Sequence, residues 1–344
     1  MTKLRLGLVG AGVIGARHIG AIAQCEGIEL AAIADPMPAA QAMAEAQGVP
    51  LFTDTAAMLA AAQCDGVIVS TPTEHHLSPT LTALSAGVHV LVEKPICATV
   101  EEAAEIIARV SETGRHVLVA HQRRYYPQVE KAREIVRSGA LGQLVAVSGQ
   151  WTLRKHETYY DPEWRKRWQA GPIVTNLIHD MDAIRYICGE VESISAEVGN
   201  PVFGYEKEDV AALTIKFESG ALGSFILSDQ ATSPWTWEMA LGENISIPPT
   251  GQNAMRFMGR DGSLEFPNLV VWKHAAQPHD WTQPLVREAI ELTAEDAYRV
   301  QMLHFAAVIR GEAEPRINAE DAARSLAATV AVMESARTGM RVVV

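Results

Sequence analysis

The first 120 residues alternate between short apolar runs and longer, alanine-rich segments. Apolar runs this short do not make helices and are typical of strands buried on both faces of a parallel sheet. The runs occupy residues 4–9, 29–34, 66–70, 88–92 and 117–120, and segments with helical spacing lie between them at 38–47, 77–86 and 100–110. Alternating strands and helices predict an α/β domain built on a doubly wound parallel sheet.

The pattern changes after about Arg124. Polar and apolar side chains alternate over residues 141–153, 209–217 and 221–228, whereas residues 319–338 have helical spacing. The turn Glu218-Ser219-Gly220 between the last two alternating segments is of the hairpin type. Long alternating strands predict a large, mostly antiparallel sheet with one open face. We therefore divide the chain into a first domain, residues 1–123, and a second domain, residues 124–344.

The composition narrows the class of function. The 344 residues include 29 Lys and Arg against 41 Asp and Glu, which gives a formal net charge of −12. Nucleic-acid binding and attachment to anionic membranes need a basic face, so we expect neither partner. The four cysteines are scattered without metal-ligand spacing, which predicts reduced thiols, no metal site and a cytoplasmic protein. No apolar run has the length of a membrane span, and we expect no signal peptide.

A glycine-rich turn follows the first predicted strand. It reads Gly10-Ala11-Gly12-Val13-Ile14-Gly15, which matches G-x-G-x-x-G, and a helical segment begins at Val13. Gly10 permits the tight turn, Gly12 leaves room for a pyrophosphate, and Gly15 lets the helix approach the strand closely. The free N–H groups at the helix start, at Val13 and Ile14, favour an anion. The sequence therefore predicts a dinucleotide site.

Asp35 ends the second apolar run, 20 residues after Gly15. A carboxylate at this place accepts hydrogen bonds from the adenosine ribose hydroxyls and repels a 2′-phosphate. No arginine follows it, because the next residues are Pro36, Met37 and Pro38. We therefore expect NAD as the cofactor, with NADP as the less favoured alternative.

Polar side chains cluster just after two more predicted strands. Ligands of doubly wound sheets bind beyond the carboxyl ends of the strands. We therefore expect the following residues to face the cofactor: Ser70, Thr71, Pro72, His76, Glu93 and Lys94. Residues 71–76 read T-P-x-x-x-H, and residues 86–95 read A-G-x-H-V-L-V-E-K-P. At this distance from the glycine-rich turn, these motifs resemble the Gfo/Idh/MocA oxidoreductases, and the resemblance covers nearly the whole chain.

The resemblance implies a Rossmann domain followed by an α/β domain whose open sheet joins subunits into dimers or tetramers. It also implies that Lys94 reaches the substrate beside the nicotinamide, with a cis Lys94–Pro95 peptide, and that Gln122 and Arg123 approach the nicotinamide end. His179 stands where the family has its general acid/base. An ammonium stabilises a developing alkoxide and an imidazole exchanges protons near neutral pH, so both residue types suit the oxidation of an alcohol.

One position departs from the family pattern. Many members carry an aspartate four residues before the histidine, where this chain has Thr175. Thr175 lies one helical turn before His179 and cannot supply a negative charge to it. This departure leaves open how the imidazole is oriented. Asp180 and Asp182 are candidate substitutes, and Asn176 is a candidate contact to a substrate hydroxyl.

Aromatic and basic side chains are interleaved over residues 151–168. One interpretation is a loop over the active site, in which flat rings stack on a sugar or cyclitol and basic groups hold its polar atoms. The candidate substrate contacts are then Lys94, Arg124, Lys155, Tyr160, Trp164, Arg165, Asn176 and His179. The other interpretation is a contact between subunits, since aromatic residues and arginine are enriched at interfaces.

Three classes of function fit these observations. The first is an NAD-dependent dehydrogenase that oxidises a secondary hydroxyl of a sugar, polyol or cyclitol, with Lys94 as oxyanion stabiliser and His179 as general acid/base. The second uses the same site on dihydrodiols, oxo-sugars or imines, or for NAD-assisted glycoside cleavage. The third is a non-catalytic regulator that senses a dinucleotide. The presence of both Lys94 and His179 favours an enzyme over a sensor.

Overall fold

The computed structural model describes residues 3–244, 246–277, 279–293 and 295–344. Within these residues the strands are β1 Leu4–Val9, β2 Ile28–Ala34, β3 Leu51–Phe52, β4 Gly66–Val69, β5 His89–Val92, β6 Val117–Val119, β7 Leu144–Thr152, β8 Val191–Gly199, β9 Val210–Phe217, β10 Leu222–Ser228, β11 Met255–Gly259, β12 Ser263–Phe266, β13 Val270–His274, β14 Leu285–Ala289 and β15 Val342–Val343. The α-helices are α1 Val13–Ala23, α2 Ala40–Gln47, α3 Thr55–Ala61, α4 Leu77–Ser85, α5 Val100–Thr113, α6 Pro127–Arg137, α7 Ile178–Cys188, α8 Trp237–Leu241, α9 Ala297–Ile309 and α10 Ala319–Thr338.

The chain divides into two compact units. Unit 1 comprises Met1–Tyr125 and Glu295–Leu326, and unit 2 comprises Tyr126–Ala294 and Ala327–Val344. The boundary that we drew after residue 123 lies two residues from the end of the first segment of unit 1. Our division of the chain into two consecutive domains did not include the second segment of unit 1, Glu295–Leu326, which follows most of unit 2 in the sequence.

Unit 1 is built on a six-stranded sheet with the order β3-β2-β1-β4-β5-β6. Its neighbouring strands are all parallel. The inner strands β4 and β5 are buried along their whole length, as expected for apolar runs in a parallel sheet. The doubly wound parallel sheet predicted from the sequence is confirmed. The sequence prediction did not include β3, which has only two residues and lies at the sheet edge.

The segment that returns to unit 1 contains α9, which packs into the core around β1 and α1. Met302 and Phe305 of α9 are fully buried in that core. A Cβ on Gly66 would lie 3.0 Å from the Phe305 ring and 2.7 Å from Ile309, so a glycine in β4 makes room for this helix. Burying a side chain such as Phe305 contributes roughly 1.5–3 kcal/mol. Residues distant in the sequence therefore help to hold the sheet of unit 1.

Unit 2 contains a nine-stranded sheet with the order β14-β13-β12-β11-β7-β10-β9-β8-β15. The pair β7 and β10 is parallel and the other neighbouring pairs are antiparallel. The predicted class of a mostly antiparallel second sheet is confirmed. The sequence prediction did not include the outer strands β11 to β14, which are five residues or shorter.

One face of the unit 2 sheet is covered and the other is open. On the covered face, inward side chains such as Trp151, Leu213 and Phe225 form a core with apolar residues of α6 and α7. On β9 and β10 the alternate residues are exposed, among them Ile226, which is 41% exposed. This alternation is the one-sided burial that the sequence pattern predicts.

No helix in the described part of the chain is long and apolar enough to cross a membrane. All four cysteines are free thiols. Burial raises the pKa of the Cys97 thiol to about 12, with a further contribution from the charge of Glu102. Among the described residues, no group of three or more His, Cys, Asp and Glu side chains could hold a metal ion.

Candidate functional site

In unit 1 the glycine-rich turn is packed so tightly that side chains do not fit at two of its positions. Gly10 has a φ of +94°, and a Cβ there would lie 2.7 Å from the backbone nitrogen of Thr71. A Cβ on Gly15 would lie 2.3 Å from the carbonyl oxygen of Gly10. Both glycines are therefore required by the fold itself, because they let β1, α1 and the end of β4 meet closely.

Gly12 is different, because it faces open space. It is the N-cap residue of α1, and a Cβ built on it meets nothing within 4 Å. The start of α1 has no side-chain cap, and Val13 is 88% exposed. The first N–H groups of a helix lack partners within the helix and attract an anion. The turn therefore offers a surface without side-chain obstruction and with backbone donors, as a pyrophosphate requires.

The Asp35 carboxylate is held beside the same turn by two backbone donors. Its Oδ2 accepts a hydrogen bond from the N–H of Ala11 at 2.7 Å, and its Oδ1 accepts one from the N–H of Met37 at 2.8 Å. A carboxylate oxygen has two lone pairs, so each oxygen can still accept a ribose hydroxyl. Its negative charge opposes a 2′-phosphate. The residues of this turn thus fit a dinucleotide with a free ribose 2′-hydroxyl.

The segments that follow β4 and β5 are tied to this turn and to each other. The Ser70 hydroxyl donates to the carbonyl of Gly10 at 2.8 Å. The two ring nitrogens of His76 lie 2.9 Å from the carbonyl oxygens of Thr71 and Pro95. Burial lowers the pKa of His76, although the carbonyl contacts act in the opposite direction. His76 thus links the segments after two neighbouring strands, and Pro72, between Thr71 and His76, is exposed.

Glu93 forms a buried pair with His18, a residue that the sequence analysis did not identify. His18 Nε2 lies 2.8 Å from Glu93 Oε1, and Glu93 Oε2 accepts the backbone N–H of Lys94 at 3.1 Å. Burial alone would raise the pKa of Glu93, but the hydrogen bond and charge of His18 and the charge of Lys94 outweigh it and lower that pKa. The sequence held one signal: His18 comes three residues after Gly15 and shares its buried helix face.

Lys94 lies two residues after Val92, the last residue of β5. The Lys94–Pro95 peptide is cis, as the family resemblance implied. The Lys94 side chain is partly exposed, whereas Glu93 before it is only 7% exposed. The strand end therefore directs one charged side chain inward and leaves the other accessible.

The short helix after β6, Gln122–Tyr125, is buried. Gln122 is 6% and Arg123 2% exposed. Arg124 is 2% exposed and its guanidinium donates to the carboxylate of Asp321. The charge of Arg124 is therefore paired in the interior of unit 1, and its contact with the substrate stays a prediction.

In unit 2, His179 lies at the beginning of a helix with an unusual first turn. Residues Ile173–Leu177 form a π-helix that continues directly into α7, and His179 is the second residue of α7. Such π-turns are often found at functional sites. His179 is partly exposed, whereas Asp180 and Asp182 beside it are buried, at 1% and 0% exposed.

The hydroxyl of Thr175 is shared between two acceptors on its own segment. It lies 3.0 Å from the carbonyl of Gly171 and 2.8 Å from Oδ1 of Asn176. The amide oxygen of Asn176 is thereby oriented, which leaves its Nδ2 hydrogens as donors toward a ligand. Threonine at this position thus organises its neighbour, a role that the sequence analysis did not foresee.

The aromatic and basic segment of unit 2 is internally ordered. The Arg165 guanidinium lies 4.1 Å from the ring centroid of Tyr159 and donates to its carbonyl at 2.9 Å. The same guanidinium is 5.3 Å from the Trp164 ring, and Trp164 is 59% exposed. A planar guanidinium between two rings is fixed in orientation. Trp164 and Arg165 thus present an ordered surface to solvent.

Two other residues of this segment, which we expect to contact the substrate, are engaged with the buried carboxylate of Asp229. Tyr160 is 2% exposed and its hydroxyl donates to Oδ2 of Asp229 at 2.7 Å. The ammonium of Lys155 lies 3.8 Å from the same oxygen, and its side chain is 13% exposed. Burial, followed by the Asp229 contact, raises the pKa of Tyr160. Because their polar atoms are engaged with Asp229, both side chains support the loop, and their contact with the substrate stays a prediction.

Comparison with known proteins agrees with this geometry. The model of the oxidoreductase family with an NAD-binding Rossmann fold, GFO_IDH_MocA, matches residues 4–121. The model of the GFO/IDH/MocA C-terminal domain matches residues 129–265. The predicted NAD-binding Rossmann domain is thereby confirmed.

Relatives and solved structures extend the similarity along the chain. Scyllo-inositol 2-dehydrogenase (NAD(+)) of Bacillus subtilis is 26% identical over 99% of this chain and 96% of its own length. D-glucoside 3-dehydrogenase of Escherichia coli is 30% identical over 64% of this chain and 69% of its own. The match to the rhizopine catabolism protein MocA of Rhizobium meliloti, at 30% identity, spans 59% of that protein.

A solved structure is similar over its whole length. The WlbA dehydrogenase of Bordetella pertussis, solved with NADH and UDP-GlcNAcA, superimposes with a TM-score of 0.80 at 26% identity, covering 99% of each chain. The two units therefore have the folds of one known family in the expected order. The chain belongs to the Gfo/Idh/MocA family of NAD-dependent oxidoreductases.

Proposed function

We propose that this protein is an NAD-dependent dehydrogenase that oxidises a secondary hydroxyl of a sugar, polyol or cyclitol. The observation that carries the proposal is the match to scyllo-inositol 2-dehydrogenase (NAD(+)) over 99% of the chain. The D-glucoside 3-dehydrogenase match adds a second relative whose name describes oxidation of a ring hydroxyl. Residues suited to the chemistry, Lys94 and His179, stand at the positions described above.

In unit 1 the cofactor would be held by the uncapped start of α1, by Gly12 and by the Asp35 carboxylate. NAD, when bound, supplies the hydride acceptor. The Lys94 ammonium stabilises the negative charge that develops on the substrate oxygen as its proton leaves. Glu93 and His18 keep the backbone of Lys94 in place through the hydrogen bond between Glu93 and the Lys94 N–H.

In unit 2 the imidazole of His179 accepts the hydroxyl proton and later releases it to solvent, the role of a general acid/base. Asn176 donates from Nδ2 to a substrate hydroxyl, since the Thr175 hydroxyl orients its amide group through a hydrogen bond to Oδ1. Trp164 offers a flat apolar face and Arg165 a fixed guanidinium for ring hydroxyls or an acidic substituent.

The test is NADH formation measured by absorbance with purified protein, NAD or NADP, and a panel of inositols, aldoses, sugar acids and anhydrosugars. Turnover of inositols or sugars with NAD, lost in Lys94→Ala and in His179→Ala, supports the proposal. Turnover that survives both substitutions contradicts the assigned roles. If no substrate of the panel gives NADH although calorimetry shows NAD binding, the proposed reaction is contradicted. That result favours a reaction in which NAD stays bound to the protein, or a sensor.

We propose further that the protein works in the cytoplasm as a homodimer or homotetramer, without nucleic acid or membrane partners. The free thiols support a reducing compartment. The open face of the unit 2 sheet carries exposed apolar side chains, including Leu222 at 58% and Ile226 at 41%. A second copy would cover them, and sedimentation of the purified protein tests this.

A further inference from the structure

Glu208 makes a contact that no motif of the sequence indicates. Its Oε1 accepts a hydrogen bond at 2.8 Å from the backbone N–H of Ile173, the first residue of the π-helix. Its Oε2 occupies the space beside Gly171, where a Cβ would lie only 2.3 Å away. The carboxylate is therefore fitted against the segment that begins the helix, and a glycine is needed opposite it.

This carboxylate caps a helix start that has no cap of its own. The N-cap residue, Pro172, makes no side-chain cap hydrogen bond. The first N–H groups of a helix need an acceptor, and a negative charge at that end is favourable because of the helix dipole. Ile173 begins the continuous helical run that includes Asn176 and His179. A shift at Ile173 would thus move both of these side chains.

The backbone of Glu208 is itself anchored in the core of unit 2. Lys207 is fully buried, and its ammonium donates to the Glu208 carbonyl at 3.0 Å and to Oδ1 of Asp229 at 2.9 Å. Asp209, on the other side, accepts the backbone N–H groups of Val202 and Phe203 through Oδ2, at 2.8 and 3.1 Å. The residues before and after Glu208 are thus held by hydrogen bonds, which fixes the backbone from which the carboxylate extends.

We propose that Glu208 is a positioning residue for the dehydrogenase reaction. Through Ile173 it sets where the helix starts, and thereby the placement of Asn176 and His179. It touches neither substrate nor cofactor in this role. The inference rests on the proposed function, because it assigns catalytic work to the helix that Glu208 holds.

The test compares Glu208→Gln and Glu208→Ala with a matched control. Glu206 is two residues away, exposed, and paired with Arg167 at 3.5 Å, so Glu206→Gln and Glu206→Ala remove the same charge without touching the helix. Misplacing a reacting group by about 1 Å costs about 100-fold in rate. We expect kcat to fall about 100-fold in Glu208→Ala and about 10-fold in Glu208→Gln, which keeps an oxygen acceptor. NAD affinity should stay at the wild-type value in both.

A second pair of variants probes the same contact from the opposite side. Gly171→Ala inserts a Cβ against the Glu208 carboxylate, and we expect it to lower kcat as well. With Glu208→Ala present the clash is gone, so the double variant should be no slower than Glu208→Ala alone. Losses that multiply in the double variant would overturn the proposed contact.

Hydrogen exchange gives a readout that does not depend on turnover. Amides of residues 171–188 should exchange faster in Glu208→Ala than in Glu206→Ala. If the wild-type protein turns over none of the sugars and cyclitols, the proposed function fails, and the role in catalysis fails with it. Exchange then decides only whether Glu208 holds the helix: faster exchange supports that contact and unchanged exchange overturns it. With an active wild type, faster exchange without loss of kcat also overturns it.

Discussion

Three glycines of unit 1 allow the dinucleotide site to be tested separately from the fold. Gly12, Gly15 and Gly20 share the turn and helix α1, but an added methyl group meets different surroundings at each. At Gly12 and at Gly20 a Cβ meets nothing within 4 Å, whereas at Gly15 it lies 2.3 Å from the carbonyl oxygen of Gly10. Gly12→Ala should therefore weaken NAD binding, and Gly15→Ala should lower the free energy of unfolding. Gly20→Ala should weaken neither.

The expected free energies of unfolding follow from these surroundings. Gly20 is an exposed residue inside α1, where alanine is favoured over glycine by about 0.5–1 kcal/mol. Gly12 has φ −79° and ψ −164°, which any residue adopts, so Gly12→Ala costs about 0.5 kcal/mol as a poorer N-cap. Gly15→Ala forces the backbone apart and costs about 1–3 kcal/mol.

The binding measurement separates Gly12 from its control. A methyl group at Gly12 stands where we place the pyrophosphate, so NAD affinity should fall about tenfold or more, equivalent to about 1.4 kcal/mol. Gly20→Ala should bind NAD like the wild type. Calorimetry with NAD gives the affinities, and urea unfolding gives the stabilities. Wild-type NAD affinity in a folded Gly12→Ala variant would refute the assignment of Gly12 to the cofactor.

Three further predictions concern charged residues of unit 1. Lys94→Ala should abolish turnover while NAD affinity in calorimetry stays nearly intact; loss of NAD binding would contradict a role on the substrate. Asp35→Ser should narrow the preference for NAD over NADP in kcat/KM, and an unchanged ratio would remove Asp35 from the ribose site. The pKa of Glu93 is lowered below its ordinary value of 4.5, burial being outweighed by His18 and Lys94. The ionised carboxylate therefore stabilises the fold above pH 4.5, and this contribution is lost as the pH falls through the lowered pKa. Urea unfolding across pH should show the gap between wild type and Glu93→Gln shrinking in acid, and a constant gap would count against the ionised pair.

Those parts of the fold that depend on local patterns could be predicted from the sequence. The apolar run at residues 4–9 is β1, with the same bounds, and residues 319–338 are α10. The glycine-rich turn could also be predicted from the sequence. Its glycines Gly10, Gly12 and Gly15 all lie in one short segment, between β1 and the first turn of α1. The short strand β3 and the exposed strand β14 were not predicted, since neither buries a side-chain pattern of its own.

Two of the predicted substrate contacts have partners far away in the sequence. Tyr160 and Arg124 have the composition expected of substrate contacts. Their polar atoms are engaged with Asp229, 69 residues away from Tyr160, and with Asp321, 197 residues away from Arg124, which no local pattern indicates. A sequence pattern specifies which groups are available, but the direction of a polar side chain depends on its partner.

The same reasoning applies to Arg165 and to Glu208. Arg165 is oriented by Tyr159, six residues away, so the local aromatic and basic pattern already contained its partner. Glu208 acts on Ile173, 35 residues away, across a contact that also requires a glycine at position 171. A carboxylate that positions a helix in this way gives no local signal, whereas the histidine it serves lies in a recognisable motif. The placement of His179 that we propose therefore depends on a long-range support, Glu208, as well as on the residues of the local motif.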